Sequence, residues 1–123
     1  VPTFNRYKFL KNAINSIFSQ SVQDLEIIIL NDGSTEKEYS NSEFRENNLI
    51  KWVDLSIDRK LDFESGPQNI ASLRNLGLEV ANGEFIAFLD DDDLWMPQKL
   101  ESQITSMKEQ KIYFSYIFVC SAE

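Results

Sequence analysis

No histidine occurs anywhere in the 123 residues. That absence removes Ser-His-Asp and Cys-His catalysis, and every imidazole metal site with them. Cysteine is nearly as scarce. The lone Cys120 sits in an apolar run and reads as a buried thiol; it has no intramolecular partner, which suits a reducing compartment. Positive charge is the third shortage: twelve Lys and Arg against twenty Asp and Glu leave a formal charge of -8. With no basic patch to neutralise phosphates, the chain is not expected to bind nucleic acid. Long apolar runs are missing too, so nothing reads as a signal peptide, a membrane span or a polybasic anchor.

What is present fits an ordinary globular protein. A hydrophobic content of 42% and this length give one domain, 1-123, with a real core and no obvious room for a second. The abrupt opening at Val1-Pro2 reads as if a preceding strand had been cut away.

Strand and helix patterns alternate along the chain. Residues 1–6 read as a strand end turning into a helix, with Asn5 as the N-cap candidate. Leu10, Ala13, Ile14, Ile17 and Phe18 then fall on one face of a helix over 7–20. Residues 25–30 form a near-continuous apolar run, as in a strand covered on both faces. It ends in the dense turn signal Asn31-Asp32-Gly33-Ser34-Thr35. Residues 36–47 are a weakly periodic helix, 49–57 a strand, and 58–68 a loop containing Gly66-Pro67. The spacing of Ile70, Leu73, Leu76, Val80 and Ala81 predicts a helix over 69–82, closed by Gly83 at its C′ position. Residues 85–89 read as a short buried strand. Pro97 opens a helix with Leu100, Ile104 and Met107 inward, and 112–120 reads as a final strand. The fold class is therefore α/β, a mainly parallel sheet flanked by helices.

Four consecutive carboxylates, Asp90 to Asp93, follow the 85–89 run. They would repel one another unless a cation or ligand donors sat among them, and an oxygen-only cluster suits Mg²⁺ or Mn²⁺. In a parallel sheet ligands bind beyond the carboxyl strand ends. Pro2-Thr3-Phe4-Asn5, Asn31-Asp32-Gly33-Ser34 and Asp90 to Asp93 would all open on that edge. An EF-hand fails, because its obligatory sixth-position Gly would fall on Trp95. Neither G-x-G-x-x-G nor a P-loop occurs. A Mg²⁺-dependent phosphoacceptor pocket also gathers Asp at strand ends, but would want its acid pair at the first strand. Blander roles stand beside each candidate: Asp32 as a turn former, Arg74 as a surface partner of Glu79 or Glu84, Trp95 as a core lid.

Taken in order, Pro2-Thr3-Phe4-Asn5-Arg6, Ser19-Gln20-Ser21, Glu26 to Thr35, Arg74-Asn75-Leu76-Gly77, Ala81 to Asp93, Trp95 and Pro97 resemble the start of family 2 glycosyltransferases of the GT-A fold. The resemblance runs to about residue 100 and rests on the ordered set. It implies the N-terminal, nucleotide-sugar-binding part of a metal-assisted, inverting enzyme of hexosyltransferase type. The donor would be a nucleoside-diphosphate sugar, a UDP-sugar favoured, and the acceptor a polysaccharide, glycolipid or glycoprotein. Asp32 would bond the base, with the Pro2-Thr3 turn and Asn5 lining the same pocket. Arg74 would reach the nucleotide. Asp90 or Asp91 would face the ribose, and Asp92, with Asp90, would hold Mn²⁺ or Mg²⁺. The catalytic base is expected beyond Glu123, leaving the domain incomplete at that end. The resemblance further implies a cytoplasmic protein, at the cytoplasmic face of a membrane if peripherally associated.

Three features depart from the family pattern. Four Asp in a row leave the D-x-D register open by one, Leu73 stands where Ala is common, and the Gly66-Pro67 loop is unusually spaced. Two other readings remain: a non-catalytic nucleotide-binding fragment, and the phosphoacceptor domain.

Overall fold

The computed structural model describes residues 1–55 and 70–110. The expected loop at 58–68 and the expected strand at 112–120, with Cys120, lie outside the described residues. So do Asn69 and the last two residues of the 49–57 strand.

Three parallel strands form the described sheet in the order β1 (Pro2–Thr3), β2 (Ile27–Asn31), β3 (Ile50–Asp54). Pro2 pairs with Leu30 and Thr3 with Asn31, while Ile27 to Asn31 pair with Ile50 to Asp54. β2 is central, which is why its sequence is apolar on both faces: Ile27, Ile29 and Leu30 are all buried. The Leu30 and Asp32 amides donate to the Val1 and Thr3 carbonyls, so the polar groups of Pro2 face the other edge. A proline with its missing N–H on an open edge costs no ladder bond.

α1 (Tyr7–Phe18) forms as its periodicity predicts, with Leu10, Ala13, Ile14 and Ile17 buried and Phe18 partly buried against the core. Its cap differs from expectation. Asn5 has a φ of 49° and Arg6 occupies the N-cap position without a side-chain bond. The orphan Tyr7 amide is satisfied instead by Glu36 Oε2 at 3.0 Å, a carboxylate where the helix dipole favours one. The expected 36–47 helix shrinks to α2 (Lys37–Ser40). At the far end of α1, Gln20 donates to the Ser16 and Met96 carbonyls and accepts from the Leu100 amide. That one buried side chain ties α1 to α4 (Lys99–Gln110).

The core joins α1 to Ile27, Ile29, Tyr39, Phe44, Ile50, Leu89 and Trp95. Trp95 is a core residue, as the blander reading had it. Its amide donates to Ser16 Oγ, and Lys99 Nζ sits 3.7 Å from the ring centroid. Burial lowers the Lys99 amine to about 8.

Three expectations are corrected on the other side of the sheet. α3 (Ile70–Val80) buries only Leu73, and Ile70 is 47% exposed. The helix approaches β2 closely at Gly77, where a Cβ would stand 3.2 Å from Leu30 Cδ1. Gly83 does not adopt the left-handed C′ conformation; its amide and that of Asn82 donate to the Glu26 carboxylate. Those bonds hold the Glu26 carboxyl below its usual range, the Asn82 amide most of all.

The third correction is residues 85–89, which are not a strand. Ile86 and Phe88 are exposed, and only Leu89 is buried. Between this segment, β1, β2, α3 and α4 lies a cleft of about 840 Å³, lined largely by apolar residues such as Leu30, Phe85, Leu100, Ile104 and Met107. The three last positions of α4's expected inner face are thus half-buried against the cleft.

Candidate functional site

The carboxyl ends of β1 and β2 lie side by side because Thr3 and Asn31 are register partners. Each strand breaks into a polar turn there, and the two turns are laced together. The Asp32 amide donates to the Thr3 carbonyl at 3.0 Å, and the Asn5 amide to Ser34 Oγ at 2.9 Å. Asn5 Oδ1 accepts from the Thr35 and Glu36 amides. Gly33 takes a φ of 70°, the left-handed conformation for which a side chain would cost about 1–2 kcal/mol. Asn31 holds the turn from within, accepting from the Ser34 amide and donating to Asp54 Oδ1.

The acidic run reaches the same edge through Thr3, whose hydroxyl donates to Asp91 Oδ2 at 2.8 Å. Asp91 is the buried member of the run, 5% exposed. Burial pushes its carboxyl above the usual carboxylate range, opposed by the Thr3 bond and by the Arg6 guanidinium. Arg6 forks between Asp91 at 3.2 Å and Asp92 at 3.0 Å. Arg74 takes Asp90 at 2.7 Å, pairing with neither Glu79 nor Glu84, and its Nε is buried without a hydrogen-bond partner among the described residues. The side chains of Asp90 and Asp92 are about half exposed, at 45% and 44%. Asp93 is raised above its ordinary value, first by desolvation and then by Asp92 and Asp90.

Of the residues singled out from the sequence, Thr3, Asp91 and Asp92 are thus joined directly or through Arg6, and Arg74 and Asp90 form a second pair at the start of the same acidic run. Pro2, Asn5 and Asp32 sit on the two laced turns beside them. Two participants were not assigned a role from sequence. Arg6 is visible in the Pro2-to-Arg6 motif and needed only its charge to be weighed beside four Asp. Tyr39, whose hydroxyl is 2.6 Å from Thr3 Oγ1, gave no signal, being an isolated aromatic in a polar stretch. The apolar cleft adjoins the site: Pro2 and Arg74 line it, whereas Asp90 to Asp93 do not.

The donors offered to a cation here are carboxylate oxygens only, as hard divalent ions prefer. Among the described residues, no group of three or more His, Cys, Asp or Glu converges to hold a metal ion unaided. Two half-exposed carboxylates fit the other arrangement open to Mg²⁺ or Mn²⁺, in which substrate phosphates and waters complete the shell.

A parallel α/β sheet with its polar turns gathered beyond the carboxyl strand ends is the architecture of nucleotide-binding folds. The chain belongs to the family described as Glycosyl transferase family 2, whose profile matches residues 1–121. An uncharacterized glycosyltransferase of Haemophilus influenzae is 36% identical over 94% of this chain and 44% of its own length. The Escherichia coli protein WfgD, named a UDP-Glc:alpha-D-GlcNAc-diphosphoundecaprenol beta-1,3-glucosyltransferase, is 33% identical over 94% of this chain and 42% of its own. The structure of S. aureus TarS 1-349 in complex with UDP-GlcNAc superposes with a TM-score of 0.72 at 26% identity, over 89% of this chain and 30% of that one. The fold is the GT-A fold of these enzymes. The chain spans less than half the length of these curated relatives. Among the described residues no helix is long and apolar enough to cross a membrane.

Proposed function

We propose that this chain forms the donor-binding part of a glycosyltransferase that moves a sugar from a nucleoside-diphosphate sugar, a UDP-sugar, to a lipid-linked or polysaccharide acceptor with inversion. The observation that carries the reading is the meeting of Thr3, Arg6, Arg74 and Asp90 to Asp92 beside the turn holding Asp32. WfgD is named for a UDP-linked donor and a diphosphoundecaprenol-linked acceptor, and TarS was solved with UDP-GlcNAc, which supports both choices. A lipid-linked acceptor in turn supports a cytoplasmic protein working at a membrane face.

In this reading Asp32 bonds the base, while the Pro2-Thr3 turn and Asn5 line its pocket. Asp90 faces the ribose, and Asp92, with Asp90, ligates the divalent ion. Asp91 is an anchor, because its carboxyl is spent on Thr3 and Arg6. When bound, Mn²⁺ or Mg²⁺ would neutralise charge growing on the leaving diphosphate. Arg6 and Arg74 hold the carboxylates apart and in place. Arg74 Nε, which has no partner among the described residues, is a donor left for an acceptor oxygen, and a guanidinium matches phosphate geometry.

Thermal denaturation with UDP, GDP, CDP and TDP, each with and without Mn²⁺, tests the reading. Ligand at a hundred times its dissociation constant adds about 2.7 kcal/mol. Stabilisation by UDP that needs Mn²⁺ is expected; a folded chain indifferent to all four nucleotides would refute the donor site.

A further inference from the structure

Thr3 and Tyr39 carry polar groups buried at the centre of this site, the residues being 4% and 1% exposed. Tyr39 comes from α2, which the bonds from Asn5 and Glu36 hold against the turn between β1 and α1. Its ring packs edge-on between Tyr7 and Trp52, with centroids 5.5 and 6.4 Å away. The hydroxyl has two partners: Thr3 Oγ1 at 2.6 Å and the Arg6 amide at 3.0 Å.

Counting protons fixes the direction of each bond. An amide N–H can only donate, so the Tyr39 oxygen accepts from Arg6. A carboxylate paired with Arg6 can only accept, so the single hydroxyl proton of Thr3 goes to Asp91. Thr3 Oγ1 must then accept from Tyr39. The relay runs one way, from the Arg6 amide through Tyr39 and Thr3 to Asp91, and each bond polarises the next. The two neighbours of Asp91 in sequence, Asp90 and Asp92, are the half-exposed members of the run.

We propose that Tyr39 is a positioning residue for nucleotide binding. Its hydroxyl, acting through Thr3, pins Asp91 as the buried anchor of the run and so sets Asp90 and Asp92 facing outward. This rests on the donor-site reading above. A phenylalanine at 39 keeps the ring packing and leaves Thr3 Oγ1 without a donor, so the hydroxyl can turn from Asp91.

Isothermal titration of UDP with Mn²⁺ into the wild type, Tyr39→Phe, Thr3→Val, Thr3→Ser and the double variant Tyr39→Phe/Thr3→Val tests this, beside the ¹³C resonance of the Asp91 carboxyl. Tyr39→Phe should weaken binding about tenfold, one net hydrogen bond's worth. Thr3→Val should do the same, the double variant should be no worse than Thr3→Val alone, and Thr3→Ser should retain affinity. The Asp91 resonance should move in Tyr39→Phe without nucleotide. Wild-type affinity in a folded Tyr39→Phe chain, fully additive losses, or an unmoved Asp91 resonance would each overturn the positioning role. A wild type that binds no UDP defeats the donor-site reading and the role with it, and is distinguished by that control alone.

Discussion

Arg74 and Asp90 meet at 2.7 Å across sixteen positions of sequence, a guanidinium from α3 clamping the first carboxylate of the acidic run. The pair is partly exposed, so its direct contribution to stability is small, about 0–1 kcal/mol. Its proposed importance lies in aiming charge at a diphosphate. Arg74→Ala should therefore lower UDP affinity about tenfold while shifting the melting point little. Arg74→Lys should restore only part of it, because an ammonium lacks the fork. Paired titration and melting measurements check both statements.

The turn at Gly33 should be sensitive to a single methyl group. With φ at 70°, Gly33→Ala places a Cβ in the left-handed region at about 1–2 kcal/mol. Urea unfolding should show that loss. UDP binding should weaken beyond what unfolding explains, since the turn carries Asp32.

Ile14 is fully buried in α1 against the sheet. Ile14→Ala should cost about 2–5 kcal/mol in chemical denaturation, the sum of lost transfer energy and the cavity left behind. Ile14→Val should cost about 0.5–1.5 kcal/mol.

Acid sensitivity should trace in part to Asp54. Arg45 bonds it through both terminal guanidinium nitrogens and stacks 3.9 Å from the Trp52 ring centroid. The Arg45 bonds, helped by Asn31, hold the Asp54 carboxyl below its ordinary 3.8. A depressed folded value means that the contribution is full above 3.8 and is lost as pH falls through the lower folded value. Asp54→Asn should flatten the stability profile in that window below 3.8. Asp91 works oppositely: its carboxyl is raised, so protonation on acidification relieves strain there. Urea midpoints measured across the acid range for both chains check the sign.

The parts of the fold set by local periodicity were legible in the sequence. α1 and β2 follow the apolar spacing because each buries one face or both against neighbours, while α4 follows it with Leu100, Ile104 and Met107 only half-buried. The turns after β1 and β2 were legible as strand ends, since parallel strands must open their carboxyl ends on one edge; the acidic run joins them through Thr3 although 85–89 forms no strand. What escaped depended on partners distant in sequence. Asn5 looks like a helix cap, yet its side chain serves the turn thirty residues on. The 85–89 run has the composition of a strand, yet it forms no ladder, and Ile86 and Phe88 are left exposed. Tyr39 carries no periodic signal at all; only the fold reveals that its hydroxyl lies beside Thr3.

The central claim is that UDP binds at the turns of Thr3, Asp32 and Asp90 to Asp92. Amide chemical-shift mapping of the ¹⁵N-labelled chain during titration with UDP and Mg²⁺ tests that location most directly. The account predicts the largest changes at Thr3, Asn5, Arg6, Asp32, Gly33 and Asp90 to Asp92, with Ile14 and Ile17 unmoved. Changes confined to the apolar cleft around Phe85 and Ile104, or none at saturating UDP, would contradict it.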